Sequence, residues 1–177
     1  MIEALELSPA LQALWEELGI EPHFFEGRKL CIYPEAKQFV EVDDIDGPYR
    51  ICPEVLSPWL TMRDAAKAEG LSILMVSAFR SYEYQAGLIR RKLEQNIPIQ
   101  EALTVVAAPG FSEHHTGFAI DINSPECEEA VTEYFEDTPE FTWLTQHAHK
   151  YGFYMSFPKG NPQGYIYEPW HWCWRSS

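Results

Sequence analysis

Leu11, Leu14, Trp15 and Leu18 recur at the spacing that lines one face of an α-helix and predict a helix over residues 9–19. Ser8 and Pro9 suit its start, and Gly19 suits its stop. Residues 28–47 alternate more weakly, with Leu30, Ile32, Phe39, Val40 and Val42 as strand candidates before the turn signal Asp46-Gly47-Pro48. A second helix is predicted from Ser57 to Gly70, with Pro58 in its first turn and Gly70 after its end. Leu71 to Phe79 is an apolar run of strand length, broken by Arg80-Ser81, after which Tyr82 to Gln95 reads as a helix carrying Tyr84, Leu88 and Leu93. Glu140 to Tyr151 is a further helix, with Phe141, Leu144 and Ala148 among its apolar positions and Gly152 closing it. Phe153 to Phe157 follows as a strand ended by Pro158, and Tyr165 to Trp174 is dense in aromatics. Stretches 96–110 and 124–139 read as loops. Helices and strands mix without a βαβ rhythm, so the expected class is α+β.

At 177 residues, without internal repeats or a dividing linker, one domain is expected. Hydrophobic content of 46%, with 14% aromatics, argues against disorder. Thirteen basic against 27 acidic residues give a formal net charge of −14, which argues against a nucleic-acid or anionic-membrane partner. No apolar run approaches the roughly 20 residues that span a bilayer, so no membrane span is expected. The start, Met1 to Glu6, carries acid where a secretory leader carries lysine or arginine. The expectation is a cytoplasmic chain as written, or an envelope protein whose leader has been removed. Cys31, Cys52, Cys127 and Cys173 are scattered without a C-x-x-C pair and are expected to be free thiols.

The segment Ser112 to Asp121 adds chemistry. In a strand over 117–123, Phe118, Ile120 and Ile122 share one apolar face, and Gly117, Ala119, Asp121 and Asn123 share a small, polar one. That leaves open space above the Asp121 carboxylate. His114 precedes the strand, and Gly117 lets the chain bend it back toward Asp121. Imidazole nitrogen and carboxylate oxygen are both zinc ligands, but a buried His–Asp hydrogen bond carries the same signature. Near the C-terminus, Glu168-Pro169-Trp170-His171 supplies another nitrogen and another carboxylate, on a strand or bend because Pro169 excludes a helix interior. Three protein ligands with a fourth position open to water mark a catalytic zinc, and Glu168 would then take the proton of the attacking water. The competing reading makes Trp170, Trp172 and Trp174 a packed terminal strand with His171 an incidental neighbour. His115 is expected to point away from His114. His147 and His149 read as ordinary helix residues on different faces, and His23 stands alone.

The order Ser112-x-His114-x-x-Gly117-x-Ala119-x-Asp121, then Glu168-Pro169-Trp170-His171, resembles the VanY-type D-alanyl-D-alanine carboxypeptidases. These belong with D-Ala-D-Ala dipeptidases and phage endolysins among the zinc peptidoglycan peptidases. The resemblance spans about residues 70–175 and includes Ser77-Ala78-Phe79-Arg80-Ser81-Tyr82-x-x-Gln85, Trp143-Leu144, Tyr151-Gly152-Phe153 and Phe157-Pro158-Lys159-Gly160. It implies a Hedgehog/DD-peptidase-like fold: a central, mostly antiparallel sheet flanked by helices, with the zinc site on its open face. One zinc peptidase domain would cover 1–177, with 1–69 packed on the catalytic motifs of 70–175. His114, Asp121 and His171 would hold a single Zn2+, with Glu168 as base. Arg80 would polarise the scissile carbonyl and steady the oxyanion, and Gln85 and Ser112 would hydrogen-bond the substrate.

The substrate would be a peptidoglycan stem peptide or muropeptide, losing its terminal D-amino acid by D,D- or L,D-cleavage. A D-Ala-D-Ala dipeptidase, a peptidoglycan endopeptidase and a non-catalytic zinc-containing module for wall peptides are the alternatives. A carbohydrate binder built on exposed Trp170, Trp172 and Trp174 is another. The run Trp172-Cys173-Trp174-Arg175 departs from the family pattern and leaves Cys173 as a thiol within two residues of a ligand. Oligomeric state is left open.

Overall fold

A four-stranded antiparallel sheet in the order β3-β4-β6-β5 organises the computed structural model, which describes residues 7–176. The acidic start read against an export signal lies in residues 1–6, outside the described residues. The strands are β3 Leu74–Ser77, β4 Ala119–Asn123, β5 Phe153–Met155 and β6 His171–Trp174, and a separate hairpin joins β1 Val40–Asp44 to β2 Gly47–Ile51. Helices are α1 Pro9–Leu18, α2 Pro53–Ala68, α3 Tyr82–Glu94, α4 Ile99–Val105 and α5 Pro139–His147. The α+β expectation holds. None of these helices is long and apolar enough to cross a membrane.

Alternation along the strands divides the molecule. Ile120 and Ile122 face a core of Val55, Trp59 and Met62 from α2, Trp143 and Leu144 from α5, and Phe153 and Trp172. On the opposite side, α1, α3 and α4 bury Trp15, Leu18, Ala86, Ile89 and Leu103 with Phe25 and Phe111 in a second core. Asp121 and His171 point to this side. The terminal tryptophans are packed, Trp170 at 7% and Trp172 at 3% exposure with Trp174 half-buried, so they form no exposed sugar-binding surface.

Helix α1 follows its local signals: the Ser8 side chain accepts from the Leu11 amide, Pro9 occupies the first turn and Gly19 closes in the left-handed conformation. Helix α2 departs from expectation. It starts at Pro53, and Pro58 lies inside it. The buried stripe Val55, Trp59, Met62 and Ala66 continues upstream of Pro58, and its burial outweighs the one backbone hydrogen bond that proline forfeits. Leu30 and Ile32 form no strand. Residues 28–39 run instead as an irregular strap along the 110–117 segment, with the Tyr33 amide donating to Gly110 O (2.7 Å) and the Ala36 amide to His115 O (2.8 Å). Phe39 joins no strand either, packing on Phe79 at 4.3 Å between ring centroids. Residues 99–105, read as loop, form α4, which buries Ala102 and Leu103.

Gly117 is the turn on which the centre depends. It is left-handed (φ 71°), its carbonyl accepts from the Cys52 amide at 3.0 Å, and an added Cβ would stand 3.0 Å from that nitrogen. Gly117→Ala is therefore expected to destabilise the fold by about 1–2 kcal/mol or more, the cost of left-handed backbone for an L-residue. Denaturant unfolding of the metal-free protein checks this, and an unchanged midpoint would contradict it.

Candidate metal centre

Three local structures deliver the centre. Ser112 caps a 3-10 turn over Glu113–Thr116, its hydroxyl accepting from the His114 amide at 3.3 Å, so His114 is turned inward rather than carried on extended chain. Strand β4 carries Asp121, paired in register with His171 on β6. The His171 amide donates to Glu168 O at 3.2 Å, closing a β-turn with Pro169 at its favoured second position. That turn places the Glu168 carboxylate 3.9 Å from His171 Nδ1.

His114, Asp121 and His171 are buried, and one ligand atom from each lies within 4.8 Å of the others. His114 Nδ1 is 2.7 Å from Ala78 O, which only accepts, so Nδ1 bears hydrogen and the lone pair sits at Nε2. That Nε2 lies 3.2 Å from Asp121 Oδ1, and His171 Nδ1 lies 3.2 Å from the same oxygen. A lone pair facing a carboxylate oxygen needs a proton or a metal ion between them. Ligands about 2.0–2.1 Å from a tetrahedral ion stand about 3.3 Å apart, so the donor types and the two 3.2 Å separations to Asp121 Oδ1 fit zinc.

Titration follows the same geometry. Burial, then the Arg80 charge, lowers His114 to about 4 and keeps it neutral. Burial also opposes a charged His171, but hydrogen bonds and charge from Asp121 and Glu113 outweigh it and raise the ring to about 10. Two carboxylates thus demand positive charge between them, from a proton or a metal ion. Burial works against Asp121 ionisation too, yet His114, Arg80 and the histidine hydrogen bonds hold it well below the usual carboxylate range. Burial pushes Glu168 up to about 7, a value matched to proton transfer near neutral pH.

The remaining predicted residues meet at the same place. A cavity of about 450 Å³ is lined by Arg80, Gln85, Ser112 and Glu168 together with the three candidate ligands. Arg80 contacts Asp121 Oδ2 through Nη2 and donates to Ser77 Oγ from Nη2 (2.8 Å) and Nε (3.0 Å). Gln85 donates to Ala107 O at 3.0 Å, leaving its buried Oε1 without a partner among the described residues.

Two further buried residues stand at the centre: His115, expected to take no ligand role, and Glu113, which nothing in the sequence singles out. His115 does face away from the ligand atoms, but it fixes the main chain of Arg80, with Nδ1 donating to Arg80 O at 2.6 Å and Nε2 accepting from the Gly110 amide at 3.1 Å. Glu113 meets the far nitrogen of His171, with Oε2 at 2.9 Å from Nε2. Cys173 pairs with Ala119 rather than Asp121, outside the candidate ligand group, and burial raises its thiol pKa. All four cysteines are free thiols. His147 ends α5 against Trp143, and His149 is exposed.

Residues 49–177 match the family model VanY, D-alanyl-D-alanine carboxypeptidase. The chain belongs to the VanY family. It is 40% identical over 113 residues to YodJ of Bacillus subtilis (strain 168), a match covering 63% of this VanY-family chain and 41% of YodJ. The fold is shared with the solved LdcB LD-carboxypeptidase (TM-score 0.67, 32% identity, 84% of this chain and 68% of that one). It is shared also with a variant of the vancomycin-resistance D,D-pentapeptidase VanY in complex with Zn(II) (TM-score 0.64, 25% identity, 82% and 86%). The chain spans 41–64% of the length of the curated relatives it matches.

Proposed function

We propose that this chain is a zinc carboxypeptidase that removes the terminal D-amino acid from peptidoglycan stem peptides, acting as one domain across residues 1–177. The observation that carries the reading is the meeting, in one cavity, of three inward-facing ligand atoms with Glu168 and Arg80. A recognition module would need no base beside the metal. Family membership and the Zn(II)-bound VanY relative support the metal and the reaction.

His114, Asp121 and His171 would hold the ion. Bound there, zinc would supply a Lewis acid and lower the pKa of a nearby water to about 7. Glu168, poised to hold a proton, takes it from the attacking water and returns it to the leaving amine. Arg80, always charged and pinned by Ser77, Asp121 and its own backbone contacts, offers the developing oxyanion a preorganised positive partner. The unpartnered Gln85 oxygen and the Ser112 hydroxyl position the substrate peptide.

Incubation with defined tetra- and pentapeptide stems, followed by mass spectrometry, tests the reading. One released amino acid is expected, with release abolished by a chelator and restored by zinc. A released dipeptide or an internal cut would assign the dipeptidase or endopeptidase activity instead. Muropeptide binding without hydrolysis over long incubation would leave a non-catalytic module.

A further inference from the structure

A neutral imidazole offers a lone pair at one nitrogen only and carries hydrogen at the other. His171 turns Nδ1 toward Asp121 and Nε2 toward Glu113 Oε2, 2.9 Å away. We infer that Glu113 is a positioning residue for the metal: by accepting the Nε2 hydrogen it holds His171 in the tautomer whose lone pair faces the ion, and strengthens that lone pair as a donor. The inference rests on the proposed reading of His171 as a ligand.

Glu113 is itself held from two sides. Ser156, just after β5, donates from Oγ to Oε2 at 2.5 Å, and the Tyr33 hydroxyl lies 3.5 Å from Oε1. Only 7% of Glu113 is exposed, so its charge is desolvated and its acceptor atoms stay where these donors put them. Tyr33 belongs to the 28–39 strap, which precedes the residues matched by the family model. Besides the Tyr33 and Ala36 amides, the strap is fastened by the Glu35 carboxylate, which accepts from the Tyr82 amide, and by Tyr82 Oη, which donates to Tyr33 O at 2.8 Å. The strap thereby reaches the centre at Glu113, through the Tyr33 hydroxyl, and at the backbone of His115, through the Ala36 amide. Outer partners of this kind fix ring orientation and raise ligand basicity.

The test measures zinc dissociation constants by competition with a chromophoric chelator on the full chain, alongside the denaturant stability of the zinc-free protein. Glu113→Ala is expected to weaken zinc binding roughly 10–100-fold, the usual effect of losing such a partner. Glu113→Gln, which keeps an acceptor oxygen but no charge, should weaken it less, and Ser156→Ala should shift it in the same direction. A merely structural carboxylate would lower zinc-free stability and leave the dissociation constant unchanged in Glu113→Ala, and that result overturns the inference. If Glu113→Ala does not fold, an unchanged constant in Ser156→Ala overturns it equally. His171→Ala separates the two readings: wild-type affinity in that variant would overturn the ligand assignment itself.

Discussion

His114→Ala is expected to abolish stoichiometric zinc binding and, with it, all measurable hydrolysis. His114 Nε2 is one of three candidate ligand atoms, and its loss leaves only Asp121 and His171 of that group facing the ion position. Two protein ligands do not make a catalytic zinc site, which takes three. The affinity loss should therefore exceed the roughly 10–100-fold that follows removal of an outer-shell partner. The fold should survive, because the charge on buried Asp121 keeps its partners in Arg80 and His171. Loss of one partner leaves the carboxylate compensated by the others, where an isolated buried charge would cost several kcal/mol. Metal analysis after dialysis, with circular dichroism on the same sample, is the measurement. Full zinc occupancy in a folded variant would remove His114 from the ligand set.

Much of this candidate centre is legible in the motif order, because ligand spacing is written locally. The strand alternation that puts Ile120 and Ile122 inward must put Asp121 on the other face, and the structure follows it. Helices α1 and α3 were equally readable, since Ser8 and Ser81 cap them with their own side chains. Glu113 and His115 were not. Reading Ser112–Thr116 as extended chain separates the two histidines but gives neither Glu113 nor His115 a partner, whereas the 3-10 turn buries both side chains beside His114. Their contacts, Ser156, His171 and Arg80, lie 35 to 58 residues away, where periodicity carries no information. The 28–39 strap fails for a similar reason. Its backbone bonds go to single carbonyls of the 110–117 and 162 regions rather than to a neighbouring strand, so alternation had nothing regular to report.

Glu168→Ala should separate binding from chemistry. Glu168 sits at one end of the turn that His171 closes, 3.9 Å from the candidate ligand atom and outside the group of three whose atoms converge. Removing its side chain beyond Cβ takes away no donor, so zinc content and affinity should stay near those of the wild type. Turnover is another matter. A positioned general base contributes typically 10²–10⁴ in rate, and a fall in kcat of about that size is expected with KM little changed. The two histidines would not substitute, because in the proposed site His114 and His171 each turn one nitrogen to the ion position and the other to Ala78 O or Glu113. Single-turnover kinetics on a stem peptide, paired with metal analysis, reads both quantities from one preparation. Near-normal kcat with zinc bound would show that the proton leaves by another route. Loss of zinc together with kcat would make Glu168 a ligand and reduce His114, Asp121 and His171 to part of a larger set.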